Sequence, residues 1–139
     1  MRKLKIQIAS LVVVAAAIII SSCGKVDECT GEKCSDEIAH IDVALYSPSG
    51  KPYILDSYTV VPKDGGDAVL SKTINSSTDT TGQYVVLSDT EKSKVTKDGV
   101  YFKFIGTKGG NEVVNLEYRI AHNCCHVVIK NGLSIDTIQ

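Results

Sequence analysis

The chain has no tryptophan, and its single methionine is the first residue. It has no apolar run long enough to cross a membrane. The longest, Leu11 to Ile20, is about half the ~20 residues that a spanning helix needs, which excludes a multi-span membrane protein. It has no excess of cations: 15 basic residues stand against 16 acidic ones. A grip on a phosphate backbone is therefore not expected, and no nucleic-acid partner is assigned. Glycine at every third position and apolar heptads are both missing, so collagen and coiled coil are excluded. There is no internal repeat and no low-complexity tract. Gly-x-Ser-x-Gly, a Walker loop and His-Glu-x-x-His are absent too. No motif ties a nucleophile to a base and an orienting group, so an enzyme is not expected.

What is present begins with an uneven charge distribution. Residues 1–22 hold Arg2, Lys3 and Lys5 and no acid; the remaining 117 residues carry 12 basic and 16 acidic side chains, a net −4. The basic start, the apolar run to Ile20 and the small residues Ser21 and Ser22 make a secretory signal peptide over residues 1–22. The segment Ile20-Ser21-Ser22-Cys23 resembles the lipobox of bacterial lipoproteins. The resemblance implies that the Cys23 thiol receives a diacylglyceryl group and that Cys23 becomes the mature N-terminus. At about 0.8 kcal/mol per buried methylene, two or three acyl chains anchor a protein stably without a spanning helix. Asp27 and Glu28 follow shortly after, which is similar to the export tag of surface lipoproteins in some Gram-negative bacteria. The implied location is the outer membrane, lipid-anchored: surface-exposed if Asp27 and Glu28 act as that tag, with either face of the membrane open if they are only charged residues of a solvated linker.

Residues 23–37 are polar, with Cys29 and Cys34 embedded, and read as a tether. From residue 38 to 139 the hydrophobic period is two, not 3.6. Ile41, Val43 and Leu45 alternate with polar or small neighbours. Ser47-Pro48-Ser49-Gly50-Lys51-Pro52 and Lys63-Asp64-Gly65-Gly66-Asp67 read as turns. Between them, Tyr53 to Val61 slips phase after Leu55, which predicts a bulge. Ala68–Ile74, Gln83–Ser88, Gly99–Ile105, Glu112–Ala121, Cys124–Lys130 and Leu133–Ile138 are further strands, and residues 75–81 form a long connection. About seven short strands at this spacing predict an all-β, antiparallel sandwich, prealbumin-like or Ig-like. The aromatic residues mostly fall where a core wants them. Tyr101 is the exception: it is out of phase with Val100, Phe102 and Phe104, which exposes it for ligand stacking.

The hairpin around Ser49-Gly50-Lys51-Pro52 and the later Thr78-Asp79-Thr80-Thr81-Gly82-Gln83-Tyr84 resemble prealbumin-like domains of the carboxypeptidase regulatory-like group. The likeness covers residues 38–88. In that pattern Asp79 caps a turn, Gly82 takes positive φ and Tyr84 points inward. It implies a scaffold or accessory module without catalytic residues. The chain also resembles small lipoproteins ending in a Cys-Cys-His-Val strand, a likeness that carries no function.

Cysteine and histidine form the one chemical cluster. With Cys23 lipidated, Cys29, Cys34, Cys124 and Cys125 remain, an even number that reads as disulfides in an exported protein. A Cys124–Cys125 bridge is disfavoured, because neighbouring strand side chains face opposite ways. Two crossed pairings remain, each closing a loop of about 90 residues and contributing on the order of 4 kcal/mol. A further arrangement keeps Cys29–Cys34 as a local loop and leaves residues 124 and 125 free. The rival reading is a metal site. On a strand, His122, Cys124 and His126 share one face and can chelate zinc or copper, with His40 as a fourth ligand. Asp64 and Asp67 are too few for a calcium loop. Asp79-Thr80-Thr81 and Asp136-Thr137-Ile138 match a short O-glycosylation acceptor.

The expectation is thus a lipid-anchored, non-enzymatic binding or structural module of the outer membrane. It carries no cofactor beyond the lipid, and its partner is a glycan, an envelope protein or a host surface. The alternatives are a zinc- or copper-binding or redox lipoprotein using the His122–His126 strand, and an accessory subunit of an envelope complex.

Overall fold

The computed structural model describes residue 29 and residues 31–138. The signal peptide, the lipobox and Cys23 lie outside the described residues. The chain divides into two compact units, Met1–Gly31 and Glu32–Gln139. The second unit begins within the stretch read as tether.

That unit is an all-β sandwich of eight strands: β1 (His40–Tyr46), β2 (Ser57–Pro62), β3 (Leu70–Thr73), β4 (Gln83–Ser88), β5 (Val100–Lys108), β6 (Asn111–His122), β7 (Val127–Asn131) and β8 (Ile135–Thr137). Three strands pair in the order β4-β1-β8 and five in the order β3-β2-β5-β6-β7. All pairings are antiparallel except β1 with β8, which is parallel. Alternation explains the layers. Ile41, Val43 and Leu45 of β1, Phe102 and Phe104 of β5, and Tyr118 and Ile120 of β6 all turn into one core. Their intervening neighbours face out.

Aromatic rings fill the space between the sheets. Tyr58 of β2 stacks on Phe104 of β5 at 5.0 Å and meets Tyr84 of β4 edge-on at 5.5 Å. The buried Tyr84 hydroxyl accepts from Leu55 N (2.8 Å) and donates to Tyr53 O (2.9 Å). It thereby satisfies backbone groups of the segment leading into β2, which no ladder partner reaches. The 78–84 turn behaves as its residues predict. The Thr81 hydroxyl donates to Asp79 Oδ1 and accepts from Gln83 N. Gly82 sits at φ 66°, where a Cβ would meet Leu45 O at 2.8 Å, so only glycine fits.

Three sequence expectations are corrected. The phase slip after Leu55 is not a bulge: β2 starts only at Ser57, and residues 53–56 lead into it. Register shifts occur instead at Ile41/Asp42, Gly106/Thr107 and Arg119/Ile120. Residues 89–94, expected to lack helix, form a short 3₁₀ helix, Asp89–Lys94. Ser88 and Glu91 close its N-terminus reciprocally as a capping box. Finally, the strand expected from Cys124 begins at Val127, because residues 124–126 are a bend between β6 and β7.

Candidate functional site

The bend at residues 123–126 is built by Asn123. Its Oδ1 accepts from the backbone N of both Cys125 (2.8 Å) and His126 (2.5 Å), and its own N donates to His126 O (3.0 Å). An Asn side chain that captures backbone donors in this way turns the chain and ends the ladder. The Lys92 ammonium then donates to the carbonyls of Cys124 (3.2 Å) and Cys125 (3.1 Å), tying the bend to the 3₁₀ helix.

Cys34 and Cys125 form a disulfide across a sequence separation of 91 residues. Cys29 and Cys124 are disulfide-bonded as well. The Cys34–Cys125 bond excludes a bridge between the adjacent cysteines, a local Cys29–Cys34 loop, and the crossed pairing of Cys34 with Cys124. The geometry behind the metal reading is also corrected. His122, Cys124 and His126 do not share a strand face, since only His122 lies on β6, and Cys124 is in a disulfide. His122 Nδ1 instead meets Asn123 O at 2.7 Å. His40 is exposed on β1, in the other sheet from His122. Among the described residues no group of three or more His, Cys, Asp or Glu side chains is placed to hold a metal.

The cystine does bring together residues that sequence separates. Next to Cys125, His126 points Nδ1 at Asp89 Oδ2, 2.7 Å away. Next to Cys34, Ser35 places its Oγ 3.1 Å from His126 Nε2. Asp89 opens the 3₁₀ helix and accepts two further bonds, from Ala39 N (2.8 Å) and Val127 N (2.7 Å). Exposure rises along the series. The Asp89 side chain is 16% exposed and that of His126 is 24% exposed, while Ser35 is exposed. Partial burial acts to raise the Asp89 pKa, but the bonds from His126, Ala39 N and Val127 N outweigh it and hold the carboxyl at about 2. An ionised carboxylate only accepts, so the hydrogen between it and the ring sits on Nδ1. In the neutral ring, Nε2 is then the acceptor for the Ser35 hydroxyl. No short motif encodes this series. Ser35, Asp89 and His126 carry no common spacing, and the signal open to sequence reading was the adjacency of Ser35 and His126 to cysteines.

The depressed Asp89 pKa sets a pH dependence. A carboxyl near 2 in the folded state, against an ordinary 3.8, adds stability that is fully present above about pH 4. That stability is lost as pH falls through about 2, and it amounts to roughly 2 kcal/mol. Urea denaturation at pH 7, 4 and 2 reads the loss. Asp89→Asn is expected to lower stability at pH 7 and to flatten the acid slope.

A second feature lies on the outer face of the five-stranded sheet. As its phase predicts, Tyr101 is exposed, at 42%. Lys63 Nζ lies 5.5 Å from the ring centroid and Arg119 Cζ 5.6 Å. Lys63 also pairs with Glu117 at 2.8 Å, and Arg119 donates to Asp98 O at 2.8 Å. This is an aromatic surface edged by cations.

No family model matches the chain, and no curated protein and no solved structure matches it either.

Proposed function

We propose that the chain is a Gram-negative outer-membrane lipoprotein, anchored through acyl chains on Cys23, whose sandwich serves as a binding or structural module at the cell surface. The observation that carries this reading is the Cys34–Cys125 disulfide. Disulfides of this kind persist in oxidising compartments outside the cytoplasm, which is where a lipobox would send the chain. The bond also fastens the polar segment that follows the lipobox to the β6–β7 bend, so the module hangs from a cross-linked strap. The outer face around Tyr101, with Lys63 and Arg119 beside the ring, suits an acidic glycan. Ring stacking and charge would act together there.

The test is metabolic labelling with an alkynyl fatty acid, followed by membrane fractionation. The wild-type chain is expected to carry the label and sediment with the outer membrane, and Cys23→Ala to lose both properties. A Cys23→Ala chain that keeps the label would overturn the anchor. On a glycan array, Tyr101→Ala should cost at least about tenfold in binding to acidic sugars.

A further inference from the structure

We propose that Ser35, His126 and Asp89 form a nucleophile, base and orienting group that cleave carboxylic esters by acyl transfer. This goes beyond the anchoring role and does not depend on it. A weak hydroxyl nucleophile needs a base within hydrogen-bond reach and a third group that fixes the base. Both relations are present. Ser35 Oγ is 3.1 Å from His126 Nε2, and His126 Nδ1 is 2.7 Å from Asp89 Oδ2. Asp89 is itself pinned by Ala39 N and Val127 N. The two ring nitrogens face the partners that the chemistry requires, the carboxylate on Nδ1 and the hydroxyl on Nε2.

Two further observations support a working arrangement over a chance contact. The first is the gradient of exposure, with a shielded carboxylate, a half-shielded imidazole and a hydroxyl open to a substrate. The second is covalent. The Cys34–Cys125 bond joins the residue before Ser35 to the residue before His126, with the two Cα atoms 5.1 Å apart. Serine and histidine come from positions 91 residues apart, yet a bond limits how far they can separate. Such tethering replaces the entropy otherwise lost in aligning nucleophile and base.

In the step itself, Ser35 Oγ attacks the ester carbonyl carbon while His126 Nε2 takes the hydroxyl proton. The tetrahedral adduct collapses, the ester C–O bond breaks, and the proton passes from His126 to the departing alkoxide. Water then gives a proton to the same nitrogen and attacks the acyl-serine carbonyl carbon; the acyl C–Oγ bond breaks, the proton returns from His126 Nε2 to Ser35 Oγ, and the acid leaves. Asp89 touches no substrate; it is a positioning residue that holds the ring and stabilises its protonated form.

The experiment uses the full chain with disulfides intact and a fluorophosphonate probe, read by intact mass and peptide mapping. One adduct per chain on Ser35 is expected, together with turnover of p-nitrophenyl butyrate. Ser35→Ala, an exposed change that leaves the fold unaltered, abolishes both. His126→Gln slows labelling at least about 100-fold. Asp89→Asn slows labelling and displaces its pH profile, which a merely structural contact would not do. Absence of any adduct on the folded wild-type chain overturns the proposal, as does an adduct that survives Ser35→Ala. Because the readout is a covalent mark on a named serine, its failure says nothing against the lipid anchor.

Discussion

Reducing the cystines is expected to lower the melting temperature by roughly 15 °C or more. In the chain-entropy account, a cross-link as distant as Cys34–Cys125 removes on the order of 4 kcal/mol of freedom from the unfolded chain. In a domain of this size each kcal/mol moves the melting temperature by roughly 4–8 °C. Calorimetry with and without reductant measures the shift. A change below about 3 °C would mean that the unfolded chain is already compact enough for the cross-link to matter little. Fluorophosphonate labelling should fall on reduction even below the new melting point, because Ser35 is then released from His126.

Phe104→Ala is expected to destabilise the fold by about 3–5 kcal/mol. Phe104 is fully buried, stacked on Tyr58 at 5.0 Å, with the Tyr84 ring 6.1 Å away. Tyr58 and Phe104 belong to the five-stranded sheet and Tyr84 to the three-stranded one, so truncation opens a void at the contact between layers. The neighbouring rings cannot collapse into that void freely. The hydroxyl of Tyr84 is committed to Leu55 N and Tyr53 O, and moving the ring would strand both backbone groups. Urea denaturation reads the loss, and Phe104→Leu should recover more than half of it. An alanine variant within 1 kcal/mol of wild type would show that the cluster can repack.

Much of the fold was legible because sheets write their buried face at every second residue. Ile41, Val43 and Leu45 marked β1, Gln83–Ser88 was bounded to the residue, and the outward phase of Tyr101 was visible beforehand. Legibility failed where side chains overrode period. Apolar neighbours made Cys124 to His126 look like the start of a strand, but Asn123 captures their backbone donors and bends the chain first. The 3₁₀ helix was too short to show periodicity, although Ser88 and Glu91 stand at capping-box spacing. Of the Ser35, His126 and Asp89 series, the sequence offers only the adjacency of Ser35 and His126 to cysteines. The series exists only because the disulfide and the β6–β7 bend bring distant parts of the chain together, and no spacing within a window could encode that.

The parallel pairing of β1 with β8 sets the order in which the fold can be completed. β1 is the central strand of its sheet, and one of its two neighbours is the last strand described. Until residues 134–138 are free to dock, Ala44 N lacks the carbonyl of Ser134, and Tyr46 O lacks the donor Ile138 N. Contacts between the two ends of a chain are slow to form, because the intervening loop must close before any pairing rewards it. A chain whose residues 134–138 are not yet available therefore stays open along one edge of β1, the edge that β4 does not cover. Pairing along that edge waits for residues 134–138.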